Sequence, residues 1–532
     1  MIKKSIFCLL CLLFAVAGGR GVFASNFDGF LRIGLEQYFL EQSQITVYST
    51  RLEIGIWQNS AFNVHGAIYS HSSFSVMPAN LELAQLPMLF PTFAEAREAS
   101  LHFSQSAPAM LGDGMWTLYV PIAYAAAHGG TQINASNQRI AIFAGPQLVL
   151  VTEGAVQLRD TSAITNLGVR QYRGVIEFAR FRGQGITAVN IIHIDEYLLS
   201  VVPSEMPASW HIEALRAQAV AARTFTLHRK VSWTGRDYDL CDTVFSQVYS
   251  GIGREHANTT QAVNDTRNLI MLHNGQPILA VYSSCAGGHT ANSEEVWVAT
   301  VPYLRGVQEV HQATDMLWSR TITMSQINQL LTGEGINIGS ATSVELITNE
   351  NGRVMQLIIR GQNGNHTLQQ EHIRTFFNPL QGGGLRSRNF TITGATTAPI
   401  SGSLVAPPPT ASASTQTYVI GASGLATINP GYIVSLSAAG LGFAHDGQII
   451  LGAGGVSLLN TTQTASPPQT TPTQTGQALR ITSNSYTLQL EGAGWGHGVG
   501  MSQHGARAMA QMGYDFTQIL LFYYTGIEIA LM

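Results

Sequence analysis

Two stretches of the 532-residue chain concentrate side chains able to do chemistry. In the first, DEYLLSVVPSEMPASWHIEALRAQAVAARTF from Asp195 to Phe225, Glu205 stands between Pro203 and Pro207, after an apolar strand and before a helix. A proline on either side restricts the backbone, so the carboxylate is expected to be held rather than swept through solvent. Beside the apolar Val201, Val202 and Met206 its pKa should rise, as a general acid requires. The alternative is an ordinary solvated glutamate. Arg216 and Arg223, seven residues apart, share one helix face; it either points into the same cleft, where guanidinium groups suit an anionic or hydroxyl-rich ligand, or is simply wet.

The second stretch, EGAGWGHGVGMSQHGARAMA from Glu491 to Ala510, has glycine at 492, 494, 496, 498 and 500. Period two is the period of a strand, which predicts one face bare and the other carrying Ala493, Trp495, His497, Val499 and Met501. Glycine inside a strand costs stability and marks a close approach of backbone or ligand; a tight bend packed beside a helix is the alternative. No G-x-G-x-x-G or G-K-[ST] occurs here, which disfavours a phosphate cradle. Cys241, Cys285 and His289 offer only two thiols toward the three or four ligands zinc wants. Asp242, Ser283 and His497 permit a nucleophile arrangement, but no G-x-S-x-G surrounds a serine. No metal or other cofactor is expected.

These groups must be positioned by a chain long enough for several cores. Residues 1–24 read as a secretory signal: Lys3 and Lys4, an apolar run from Ile6 to Ala17, and Val22-Phe23-Ala24 as the cleavage pattern. The protein is therefore expected to be exported to the wall or outside, or anchored if the segment stays uncut. Taking Lys3, Lys4 and Arg20 from the 28 basic residues leaves 25 against 32 acidic ones, and only 11% of residues are charged. No basic patch is visible to neutralise phosphates, which argues against a nucleic-acid partner. Outside the cell Cys241 and Cys285 are free either to pair or to stay apart.

Residues 26–137 mix strand-like runs (FLRIGL, ITVYSTRLEIGIW, WTLYVPIAYA) with one helical pattern, PTFAEAREASLHF, and offer no chemistry. Residues 138–397 begin with strand alternations, contain the best helix of the chain from Ile212 to about Arg229, and return to strands at PILAVYSSCAGG. Residues 398–480 turn to Pro, Thr, Ser and Gln, as linkers do, around a small strand-rich island. Residues 481–532 hold the glycine-rich stretch, a helix and an apolar end.

Several blocks resemble the SpoIID/LytB family, the stage II sporulation protein D group of peptidoglycan-cleaving proteins. They are VNIIHIDEYLLSVVPSEMP, EALRAQAVAARTF, CDTVFSQVYSG, AVYSSCAGGHTA, VPYLRGV, GWGHGVGMSQHGARAMAQMGY and FYYTGI, in the family's order. They cover roughly 138–397 and 481–532; residues 26–137 and the Pro/Thr-flanked insert lie outside, although FLRIGL is similar to the family's opening strand. The resemblance implies an α+β fold: a strand-rich catalytic domain with one prominent helix after SEMP, joined to a strand-rich N-terminal domain and a small inserted β module.

It further implies a lytic transglycosylase, with a possible place in sporulation, that cuts peptidoglycan glycan strands already stripped of stem peptides. Glu205 would be the catalytic acid, and Arg223 is also linked with activity. One acid protonates the glycosidic oxygen and then, as a base, helps the sugar's own 6-hydroxyl close a 1,6-anhydro ring, so a second carboxylate is dispensable. Arg216, Gln247, Tyr249, Ser283, Ser284, His497, Ser502 and Gln503 are the residues expected to bind sugar. Some members hold zinc through the cysteine matching Cys241 and a His-Cys pair just before QVY; Phe245 and Ser246 stand there in this chain, so that site reads as lost. Cys285 stands where serine is more usual, which raises the prospect of a Cys241–Cys285 bridge. Other relatives are described as enhancers of a separate amidase, which leaves two rival readings: a non-catalytic regulator with an amidase partner, and a wall-binding module.

Overall fold

The computed structural model describes residues 27–399, apart from 80, 104, 112–113, 182–183, 233–236 and 311–315, together with 417–421, 424–428 and 478–532. The signal segment and nearly all of the Pro/Thr-rich insert lie outside the described residues.

The first body is built on a seven-stranded sheet. Its strands are β1 (Phe30–Gly34), β2 (Arg51–Gln58), β3 (Ala61–Tyr69), β4 (Val156–Asp160), β5 (Val175–Ala179), β6 (Thr187–His193) and β7 (Leu240–Cys241), in the spatial order β7-β1-β6-β5-β4-β2-β3. FLRIGL thus pairs antiparallel with β6, Phe30 opposite His193 and Gly34 opposite Val189. An eight-stranded sheet of strands between Ile45–Val47 and Gln147–Thr152 shares the same core. Both sheets take strands from either side of residue 137, so the N-terminal region and the blocks that follow fold together.

Next comes α1 (Ile194–Glu205), followed by α2 (Ile212–Ser232) and α3 (Ala257–Asp265). The start of α1 is set by His193, whose ring accepts from the Asp195 amide, and by acidic Asp195 and Glu196 in the first turn, where they complement the helix dipole. Its end is set by Pro207: a residue before proline avoids helical ψ, and Met206 is extended at φ −126°, ψ 139°. The strand-to-helix turn expected around Glu205 is therefore replaced by a helix-to-helix turn. The apolar run that reads as strand divides at His193, and its second half coils because Tyr197, Leu198, Val201 and Val202 fall on one buried face. Each such side chain contributes about 1.5–3 kcal/mol by leaving water. The predicted long helix is α2, which runs to Ser232.

After the short β8 (Leu269–His273) and β9 (Tyr282–Ser283), a second core forms around Trp318, Ile322, Leu346, Leu357, Phe377 and Phe390. A three-stranded sheet belongs to it, with β12 (Thr487–Ala493) between β10 (Leu317–Thr323) and β11 (Phe390–Ile392). Beyond Ala493 the chain returns to the first body through β13 (Met501–Ser502), which runs parallel to β9, and ends in α4 (Gln503–Gln511) and α5 (Phe516–Tyr523).

The glycine-rich segment is the strap between the two cores, and it is not a strand. Gly494, Gly496, Gly498 and Gly500 all take positive φ, from +69° to +106°, a region that costs other residues energy. A Cβ on Gly494 would meet the Cys285 carbonyl at 2.7 Å, and one on Gly500 the Val281 carbonyl at 2.1 Å. Gly496 is closed by the Ser283 Cβ and Gly498 by the Arg353 guanidinium, each 2.9 Å from an added Cβ, so the bare positions face the protein's own atoms and the expected open face is absent.

Candidate active site

Glu205 is the last residue of α1, partly exposed, with its carboxylate at the mouth of a buried polar cluster. The Val248 amide donates to Oε1 at 3.2 Å, and the side chains of Gln503 and Tyr282 also hydrogen-bond the carboxylate. Loss of water around it outweighs these donors and pushes its pKa up to about 7. The C-terminal end of a helix dipole also disfavours a negative charge there. No cation is among the groups acting on it. At neutral pH the group is therefore poised between acid and base.

The cluster behind Glu205 holds its partners still. Gln247 donates to the Tyr282 hydroxyl at 3.0 Å and to the Ala222 carbonyl at 3.3 Å, and accepts from Thr226 at 3.0 Å and Tyr197 at 3.3 Å. Gln503 reaches Gln218 of α2 at 3.3 Å. Ser502 caps α4 by accepting from the Gly505 amide at 3.2 Å, and takes the Ala286 amide at 3.3 Å. Ser284 accepts from the His504 amide at 2.9 Å.

Several residues expected to touch sugar therefore do not face solvent. Gln247, Tyr249, His497 and Ser502 are at most 2% exposed. Tyr249 donates to Asn190 at 2.7 Å inside the first core, and His497 accepts from the Val499 amide at 3.0 Å with its ring 5.2 Å from that of Trp297. Their polar atoms are used for internal order. Ser283 is also buried, and its hydroxyl has no hydrogen-bond partner. Ser284 is half-buried and Gln503 touches Glu205, so both remain at the site.

The arginines separate as well. Arg223 is fully buried; it donates to Asp195 Oδ1 from Nε at 3.3 Å and Nη2 at 3.1 Å, and to the carbonyls of Leu269 and Val263 at 3.3 Å each. It ties the first turn of α1 to α2, α3 and β8 and is not among the groups acting on Glu205. Arg216 pairs with Glu213 and, at 3.1 Å from Nε, with Asp265, so it braces α2 against α3. A shared face directed at one cleft is corrected by these pairings.

Cys241 and Cys285 are both buried and no disulfide joins them, which decides the question the sequence left open. Burial pushes the Cys241 thiol up to about 11; its sulfur lies 3.2 Å from Thr243 Oγ1. Among the described residues no three His, Cys, Asp or Glu side chains gather as metal ligands, and no described helix is long and apolar enough to cross a membrane. A cleft of about 700 Å³ lies instead in the second body, between Trp318, Thr348, Phe390 and Glu491. Its lining holds a single carboxylate and no histidine or arginine, so volume and chemistry fall in different places.

Sequence reasoning passed over four groups at this site. Tyr282 precedes the serine pair and could have been found from its place in the block. Trp210, its ring 4.9 Å from that of His504 and under the Arg507 guanidinium at 5.2 Å, follows SEMP directly. Trp495 was visible between two glycines, and Arg386, stacked over it at 4.7 Å, carries no sequence signal at all.

Comparison with known proteins places the acid inside a recognised domain. Residues 182–273 match the family model described as SpoIID, stage II sporulation protein. A protein named Amidase enhancer from Bacillus subtilis (strain 168) is 30% identical over 371 residues, 69% of this chain and 45% of its own length. Stage II sporulation protein D of the same strain is 32% identical over 206 residues, 35% of this chain and 58% of its own length. An uncharacterized protein of Brachyspira hyodysenteriae (strain ATCC 49526 / WA1) is 25% identical over 362 residues, 68% of this chain and 72% of its own. The chain carries a SpoIID domain, and with it Glu205, Arg223 and Gln247.

Proposed function

We propose that the chain is an exported lytic transglycosylase that cleaves peptidoglycan glycan strands stripped of stem peptides, releasing 1,6-anhydromuramyl ends. The observation that carries this reading is the Glu205 carboxyl group, desolvated to a pKa of about 7 with amide and hydroxyl donors around it and no cation to hold it ionised, whereas Asp242, also raised to about 7, is paired with Arg170. Protonated Glu205 gives its proton to the glycosidic oxygen as the C1–O bond breaks. The resulting carboxylate then takes the proton of the same sugar's 6-hydroxyl while that oxygen bonds to C1, which restores the acid. Water needs no activation, so the second carboxylate of ordinary glycosidases has no task. Val248 N–H, Tyr282 and Gln503 stabilise the carboxylate formed midway. Arg223 serves as a positioning residue: by holding Asp195 it holds the helix whose far end is Glu205.

The test is product analysis by mass spectrometry on strands with and without stem peptides. Anhydromuramyl products from peptide-free strands, lost in Glu205→Gln, support the reading; their release by Glu205→Gln at the wild-type rate sinks it.

A second reading has its own support, since the relative spanning most of this chain among those named for a function is called an amidase enhancer. In that case the pure protein releases nothing alone yet accelerates an added N-acetylmuramoyl-L-alanine amidase, and the Glu205→Gln protein accelerates it equally well.

A further inference from the structure

Beside the acid lies a second chemical feature that the mechanism leaves unused. Trp495 is 48% exposed although a large aromatic gains from burial. It is fixed by two backbone hydrogen bonds with Cys285, 2.8 and 3.0 Å long, and flanked by Gly494 and Gly496 at positive φ. Arg386, itself exposed, lays its guanidinium 4.7 Å from the Trp495 ring centre, and its carbonyl accepts from the Gly496 amide at 2.8 Å. Ser387 locks the same turn by donating to the Ala493 carbonyl at 2.7 Å. Among the described residues no carboxylate pairs with Arg386. An exposed indole and a free planar cation are thus held together on a rigid support.

Their place relative to the acid follows from one strip of backbone. Tyr282, which touches Glu205, and Cys285, which pairs with Trp495, are three residues apart, about 10 Å of extended chain. Between them lies Ser283, whose buried hydroxyl has no partner and whose Cβ is 2.9 Å from where a Cβ on Gly496 would sit. About 10 Å of chain from the acid's partner Tyr282 there is therefore a ring-sized apolar surface with a guanidinium over it.

Resting on the transglycosylase reading for its substrate class, we propose that Arg386 and Trp495 form a saccharide subsite that stacks one ring of the glycan and pairs with the free lactyl carboxylate of an N-acetylmuramic acid residue. The planar fork of arginine matches a carboxylate with two parallel hydrogen bonds. That carboxylate exists only where the stem peptide is absent, because the peptide is joined through it as an amide. The subsite therefore reads the peptide-free state of the strand directly.

The experiment measures binding, so that it does not depend on cleavage. Peptide-free strands, and the same strands with their lactyl carboxylates converted to methyl amides, are titrated calorimetrically into the Glu205→Gln protein. A preference of about tenfold for the free acid is expected. Adding Arg386→Gln should bring the two affinities within twofold by weakening only the acid, while Trp495→Ala weakens both; matching thermal melts check folding. A preference that survives Arg386→Gln, or no binding of either strand, overturns the proposal. A wild-type protein that shows the Arg386-dependent preference but cleaves nothing overturns the transglycosylase reading and leaves the subsite standing.

Discussion

Two carboxylates near the glycine-rich strap, Glu205 and Glu371, show how a protein makes one an acid and the other a permanent anion. Burial acts on both to disfavour the charge. Around Glu371, Arg374 at 2.7 Å and Arg388 at 3.8 Å outweigh burial and hold the carboxyl below the usual range. Around Glu205 only neutral donors are present, burial wins, and the pKa rises to about 7. Between these two, the presence of cations decides which carboxyl can give up a proton at neutral pH; at Asp242 burial outweighs Arg170 at 3.4 Å and the pKa still rises to about 7. The Glu371 group lies within electrostatic reach of His497 and pairs with arginines, whereas no cation is among the groups acting on Glu205.

The sharpest way to break this comparison is to neutralise each carboxyl in turn. Glu205→Gln should lower glycan cleavage on the order of 10⁴-fold, the upper range for loss of an acid-base group, with folding intact; a loss under tenfold would place the chemistry elsewhere. Glu371→Gln should act on stability instead, by about 3–4 kcal/mol in urea unfolding, because it leaves buried arginines unpaired.

pH separates the two next. The folded pKa of Glu205 is raised, so the folded state binds the extra proton: its stability cost is absent below the unfolded value of about 4.5, grows as pH rises, and is complete above about 7. Glu205→Gln should therefore stabilise the protein by about 2 kcal/mol at pH 8 and by nothing at pH 4. The wild-type kcat/KM for cleavage should fall tenfold per unit above pH 7. Glu371 runs the opposite way, contributing stability above the unfolded carboxylate range that is lost as pH falls through its lowered folded value. An alkaline limb in activity unaccompanied by a pH-dependent gain in Glu205→Gln stability would dissociate the two effects. The smallest change is expected at Arg216, a partly exposed brace: Arg216→Gln should cost under about 1 kcal/mol and leave cleavage within twofold.

Much of the site was legible from local rules. The flanking prolines and the apolar Val201, Val202 and Met206 foretell a held, desolvated Glu205, whereas the helix that ends at it reads as a strand along the sequence. The 212–229 periodicity predicted α2 because packing of one face governs a helix. Misreadings came from effects that act across the chain. Glycines at alternate positions imitate strand period, but their reason is close approach by distant parts of the chain, the carbonyls of Cys285 and Val281 at Gly494 and Gly500 and the Arg353 guanidinium at Gly498. Arg223 shares a helix with Arg216, yet Asp195 and two distant carbonyls claim it.

By itself, then, the sequence marked Glu205 as the candidate acid, the helix that follows it, and the blocks that resemble a SpoIID domain. These depend on local sterics, on amphipathic period and on residue type, all readable along the chain. Only the tertiary structure decided which polar groups remain at the surface to meet a ligand, that the strap joins two cores, and that Arg386 lies over Trp495. Those outcomes depend on competition among distant donors, acceptors and charges for a limited buried space, and linear spacing carries no record of who wins it.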